Sequence, residues 1–231
     1  MINWTKYFDA IYCLHYLPNK ERGKTIQAEL DRIGIGSSGI LHYKYTYPSP
    51  FDKVLLKSLP YNKKFVLQHV LPRAINAGMG YYSIYQEALG LEYNKVLVIE
   101  DDVAFLKDLN ELEDILNHIP EEWDFLRFDK TNNSQCAHML KTLVRGPYFS
   151  GNYTGGYWAL GASAVSAKAM KIGIKAMEKE LFVVDQIFEN RIDPELNTLK
   201  RYISNLSLVR QIGSKYDQAY AGLSEKEKYN M

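Results

Sequence analysis

Lys95-Val96-Leu97-Val98-Ile99-Glu100-Asp101-Asp102-Val103 decides how the chain is read. Val96 to Ile99 are four consecutive apolar residues, three of them β-branched. A strand with one face in water alternates apolar and polar positions, so an unbroken run marks a strand covered on both faces, as in α/β sheets. Three carboxylates then arrive together at its C-terminal end, the edge of an open α/β sheet where ligands bind. Carboxylates this close repel one another unless a positive charge sits among them. A divalent cation meets that need; a solvated turn capping the next helix is the plainer alternative.

The 231 residues suit a single domain over 1–231, and 46% apolar residues are enough for a real core. A formal charge of +1 gives no electrostatic footprint for nucleic acid. Eighteen tyrosines and three tryptophans suit surfaces that stack on sugar rings, although tyrosine is common in cores too. Cys13 and Cys136 lack metal-ligand spacing and fit a reducing compartment. Met1 to Ala10 has no basic segment followed by an apolar run, and no window of roughly 18 apolar residues occurs. The expectation is a cytoplasmic protein with at most peripheral attachment to the inner membrane.

Ahead of the central run, Ala10 to Leu14 reads as a first strand, and Glu21 to Ile33 as a helix with Ile26, Leu30 and Ile33 inward, stopped by Gly34. Arg22 at that helix start offers a cation, beside backbone N–H groups, to an anionic ligand. Ile40 to Tyr47 reads as a strand closed by Pro48-Ser49-Pro50. Residues 51–80 are basic and broken by Pro60 and Pro72, and read as a variable excursion. Tyr81 to Leu89 is a helix leading into the central strand.

Beyond it, Asn110 and Glu113 resemble a capping pair for a helix burying Leu112, Ile115, Leu116 and Ile119. Trp123 to Asp129 is a strand that again ends in a carboxylate. Ser150 to Leu160, with Gly155 and Gly156 among aromatics, is either a loop that lets backbone approach a ligand or a plain glycine-rich turn. Ser166 caps a helix with Met170, Ile174 and Met177 on one stripe. Asp185 follows an apolar run in the position of an N-cap. Leu206 to Arg210 is a last strand, and the tail from Ser224 is polar and expected to fray. Phosphorelay receivers also end an apolar strand in Glu-Asp-Asp, but they open with that strand and need a strand-end Lys later; here a whole βα region precedes it.

In their order these pieces resemble glycosyltransferase family 25, which covers bacterial lipooligosaccharide glycosyltransferases and collagen galactosyltransferases. The residues that carry the resemblance are the first strand and its loop with Arg22, Glu87-Ala88-Leu89, Val96 to Val103, Trp123 to Asp129, Gly155 to Leu160 with Ser166 and its helix, and Asp185. The resemblance implies a GT-A type, Rossmann-like mixed sheet flanked by helices, and an inverting transfer of a hexose, galactose favoured, from a UDP-sugar to a glycan or glycolipid hydroxyl. It implies Mn²⁺ or Mg²⁺ held by Asp102 and Glu100. It implies donor contacts from Leu14, Arg22, Glu100, Asp101, Gly155 and Gly156, and Asp185 as the base with Asp129 next in line. Where the family carries a Ser-His pair ahead of the acidic strand, this chain has Gly80-Tyr81. That departure bears on donor choice and leaves a non-catalytic sugar-binding homologue as the alternative.

Overall fold

A computed structural model describes residues 2–46, 77–128, 144–145, 148–151, 161–179, 195, 198–205 and 208–211. Its centre is a mixed sheet with helices on both faces, the α/β class expected from the sequence. The strands are β1 (Ala10–Tyr16), β2 (Leu41–Thr46), β3 (Lys95–Glu100), β5 (Phe125–Arg127), β6 (Val144–Arg145), β7 (Phe149–Gly151), β8 (Ala162–Ser166) and β9 (Arg201–Ser204), in the order β2-β1-β3-β8-β5-β9-β7-β6. β1 runs parallel to β2 and β3, whereas β8 lies antiparallel between β3 and β5. β4 (Val103–Phe105) and β10 (Val209–Gln211) pair antiparallel in a separate ribbon.

The apolar run occupies β3 and is buried on both faces, because alternate side chains enter two different cores. Val96 and Val98 pack with Tyr12, Leu14, Phe125 and Val165 under α2 (77–90) and α4 (Ala167–Lys179). Leu97 and Ile99 pack with Ile11, Cys13, Leu126 and Ala164 under α1 (Lys20–Arg32) and α3 (Leu109–Asn117). Tyr12, Tyr81 and Tyr85 are among the largest fully buried side chains, so part of the tyrosine excess builds core and not a sugar platform.

Several boundaries differ from the sequence reading. Val103 leaves the central strand, since the chain turns at Asp101-Asp102 and restarts as β4. The α3 cap is Asp108, whose Oδ1 accepts the N–H groups of Asn110 and Glu111, both at 2.9 Å, in place of Asn110 and Glu113. β9 is a strand the reading missed, and the last strand falls at Val209–Gln211 instead of Leu206 to Arg210. Residues 77–80, assigned to the excursion, belong to α2. The remainder of 51–80 and the tail from Ser224 lie outside the described residues. Two expectations hold: Gly34 closes α1 at φ 78°, and the Ser166 hydroxyl accepts the Ala169 N–H at 3.1 Å to cap α4.

At the edge away from the acidic turn, carboxylates act as staples. Asp9 Oδ2 accepts the N–H groups of Asn94 and Lys95 at 2.7 and 2.9 Å. Asp124 accepts from Ser166 Oγ, Lys168 Nζ and the Lys200 N–H. On the acidic-turn side, Glu29 and Arg32 tie α1 to the ribbon: the Phe105 N–H donates to Glu29 Oε1 at 2.8 Å, and Arg32 Nη2 donates to the Phe105 carbonyl at 2.8 Å. This anchor ties the last turn of α1 to β4.

Gly80 sits inside α2 because a methyl there would lie 2.4 Å from Leu14 Cδ1 and 2.9 Å from Thr46 Cγ2. Alanine gains about 1 kcal/mol over glycine in a helix interior, but filling an occupied core typically costs about 1–3 kcal/mol. Gly80→Ala is therefore expected to lower the urea midpoint; a raised midpoint would show that Leu14 yields without strain.

The hydrogen bond from Arg32 holds the Glu29 carboxyl below its usual range, against the opposing effect of burial and with help from the Phe105 N–H. A carboxylate depressed in this way contributes its full stability above its unfolded pKa, about 4.3, and loses it as pH falls through the lower folded value. In urea titrations below about pH 4, stability should fall more steeply for wild type than for Glu29→Gln. Parallel acid limbs would contradict the assignment.

Candidate active site at the C-terminal edge of the central strand

The register of β1 against β3 pairs Leu14 with Glu100. The residues just beyond each, His15 and Asp101, are therefore neighbours although 86 positions apart in sequence. His15 Nδ1 donates to Asp101 Oδ2 at 2.6 Å, and the Tyr16 N–H donates to the same oxygen at 2.9 Å. Arg22 Nη1 donates to Asp101 Oδ1 at 3.1 Å, while its Nη2 lies 3.4 Å from Asp102 Oδ2. An ionised carboxylate only accepts, so the imidazole must carry its proton on Nδ1. Asp101 and His15 are each only 6% exposed.

The positive charge that the acidic run calls for is thus supplied, in the protein itself, by the Arg22 guanidinium. Asn19 places it there: its side chain caps α1 by accepting the Arg22 N–H at 3.2 Å. The guanidinium bridges two carboxylates through Nη1 and Nη2, and its Nε is buried with no hydrogen-bond partner among the described residues. A buried donor without a partner is uncommon.

The three acids do not act alike. Glu100 still belongs to β3, and the two-residue alternation turns it to the α2 side with Val96 and Val98. There the Tyr81 hydroxyl donates to its Oε1 at 3.2 Å. Asp101 and Asp102 lie past the strand, where Arg22 of α1 reaches both. Asp101 is engaged internally through both oxygens. Asp102 sits at the rim with 18% of its side chain exposed. Leu14, expected among the donor contacts, is buried and packs against Gly80.

Sequence reasoning missed His15 and the Tyr81 hydroxyl. Both follow from strand order, because only the parallel pairing of β1 with β3 and the packing of α2 on that face bring them to the acids. Gly80-Tyr81, the departure from the family pattern, becomes legible in the same way: glycine lets α2 approach β1, and tyrosine then reaches Glu100. Asp129, Gly155, Gly156 and Asp185 lie outside the described residues.

Among the described residues no three His, Cys, Asp or Glu side chains converge as a protein cage for a metal. Magnesium-type cations are commonly held by one or two carboxylates together with substrate phosphates. Asp102 suits that donor set, whereas Glu100 faces the other side of the sheet. Among the described residues no helix is long and apolar enough to cross a membrane.

No family model matches the chain, and no curated protein matches it. Similar solved structures include a glycosyltransferase involved in glycosylation of the major capsid of PBCV-1, at 12% identity and TM-score 0.44, covering 84% of this chain and 81% of that one. The inositol-1-phosphate CTP transferase from T. maritima is similar at 12% identity and TM-score 0.44, covering 95% and 93%. The galactosyltransferase LgtC, solved with donor and acceptor sugar analogues, is similar at 11% identity and TM-score 0.37, covering 96% and 99%. At these values the likenesses assign neither family nor activity.

Removing one member of a buried charged group strands its partners and typically costs about 3–5 kcal/mol. Asp101→Ala should therefore lower stability by about 3 kcal/mol in urea unfolding, near the low end because Arg22 keeps Asp102. Asp102→Ala, with 18% of that side chain exposed, should cost less than Asp101→Ala. Equal losses in the two variants would contradict the division between a buried anchor and a rim carboxylate.

Proposed function

We propose that the protein is an inverting glycosyltransferase that moves a hexose, galactose favoured, from a UDP-sugar to a hydroxyl of a glycan acceptor such as lipopolysaccharide, lipooligosaccharide or capsule. The observation that carries this reading is the pairing of Arg22, at the start of α1, with the rim carboxylate Asp102 at the C-terminal end of β3. It puts a guanidinium and a carboxylate side by side at the edge where ligands of α/β sheets bind.

In this mechanism Arg22 pairs with the donor's diphosphate. A planar guanidinium with donors to spare suits two phosphate oxygens. Glu100, steadied by Tyr81, orients the ribose. The acceptor oxygen attacks the anomeric carbon on the face opposite UDP, its proton passes to a carboxylate, and the bond to the diphosphate oxygen breaks. Asp185 is the proposed base and Asp129 the second choice. Arg22 stabilises the charge that gathers on the departing diphosphate. Asp102 would hold Mn²⁺ or Mg²⁺ together with diphosphate oxygens, and such a cation supplies Lewis-acid stabilisation of that same charge when bound. Gly155 and Gly156 are proposed to let backbone approach the donor.

A panel of UDP-sugars with manganese, scored for UDP release in the presence of a glycan acceptor, tests the activity. Thermal stabilisation by UDP-sugars without release would favour a non-catalytic sugar-binding protein. Asp185→Asn separates a base from a helix cap, since asparagine caps about as well as aspartate but takes no proton. If Asp185 is the base, turnover should fall by about 10²–10⁴-fold with little change in donor affinity. Unchanged turnover would pass the role to Asp129.

A further inference from the structure

We propose that His15 is a positioning residue of the donor site, acting through Asp101 on the direction of the Arg22 guanidinium. This rests on the functional reading above. The ring is fixed on several sides. Its Nδ1–H is committed to Asp101 Oδ2 at 2.6 Å. The opposite edge faces Gly23 in α1, where a Cβ would come within 2.9 Å of Nε2. The Tyr45 ring stands edge-on with its centroid 6.0 Å away. A histidine held this way has no slack with which to follow a moving partner.

The consequence lies in how Asp101 divides its oxygens. Oδ2 is filled from β1 by His15 and the Tyr16 N–H, so only Oδ1 is offered to Arg22, and one guanidinium nitrogen takes it. The other nitrogen extends toward Asp102 at the rim. Without the His15 donor, Oδ2 becomes short of a partner, and the two-pronged carboxylate pairing that guanidinium favours is open to Arg22. The guanidinium would then turn inward onto Asp101 and away from an incoming diphosphate. His15 touches no substrate in this account; it keeps Asp101 from taking both nitrogens.

Calorimetric titration of UDP into wild type, His15→Leu, His15→Asn and Gly23→Ala tests the proposal. The Asn side-chain N–H can stand where Nδ1–H stands, whereas Leu fills space without donating. Residues that orient a binding group at one remove typically contribute about 10–100-fold, so His15→Leu should weaken UDP by that order. His15→Asn should recover most of the loss. Gly23→Ala keeps every hydrogen-bonding group but displaces the ring from the Nε2 side, and should weaken UDP in the same direction. KM for the sugar nucleotide should rise more than kcat falls. Equal UDP affinity in wild type and His15→Leu overturns the proposal, as does an Asn variant as weak as the Leu variant, which would reduce His15 to a filler of space. If His15→Leu does not fold, His15→Asn and Gly23→Ala decide it: Gly23→Ala binding UDP like wild type overturns the proposal. A wild-type protein that neither binds UDP nor releases it from any donor overturns the functional reading and the role of His15 with it. That outcome is distinct from wild-type binding left unchanged in the variants.

Discussion

A buried carboxylate has to be paired, and that constraint at Asp101 organises this end of the molecule. Taking an ionised carboxyl out of water costs several kcal/mol unless donors replace the lost hydration. Here the donors come from three places: the last side chain but one of β1, a backbone N–H at the end of that strand, and the first turn of α1. Satisfying Asp101 therefore fixes the end of β3, the end of β1 and the start of α1 with respect to one another. Glu29 and Arg32, further along α1, fasten the same helix to β4 just past the acidic turn. The helix is held at two points, by Arg22 in its first turn and by Glu29 and Arg32 in its last.

The second organising fact is the alternation of side chains along β3. Three consecutive acids look like one cluster in sequence, but a strand sends neighbours to opposite faces and a turn redirects the residues beyond it. Glu100 joins the α2 side with Tyr81, Asp101 is absorbed as an internal anchor, and Asp102 is left at the rim. One kind of charge, repeated, ends up in three environments with different work. The same division explains why losing Asp101 is expected to cost more stability than losing Asp102.

Glycine and tyrosine follow the same logic of approach. Gly23 lets α1 close on His15, and Gly80 lets α2 close on Leu14 and Thr46. In each case the missing methyl allows a neighbouring polar group to reach the acids: the imidazole toward Asp101, and the Tyr81 hydroxyl toward Glu100. Tyrosines that composition suggested as a sugar-stacking surface include three that line the core instead, Tyr12, Tyr81 and Tyr85. Aromatic content alone does not separate the two uses, because the same flat ring suits both.

By itself the sequence determined the doubly covered central strand, the helices that flank it and the place where charge collects. Those features are local: an unbroken apolar run, a 3.6-residue stripe in α1, Ser166 ahead of α4 and Gly34 behind α1 are each written within a few positions. Short elements such as β4 and β9 escaped, since three or four residues carry too little pattern to stand out. Only the tertiary structure decided where each acid sits and what it pairs with. Whether Asp101 faces solvent, a cation or a histidine depends on β1 lying beside β3 in parallel, a pairing between residues 86 positions apart. No periodicity in one segment can encode a neighbour contributed by another, so the contact of His15 with Asp101 and the burial of Asp101 appear only when the sheet is assembled.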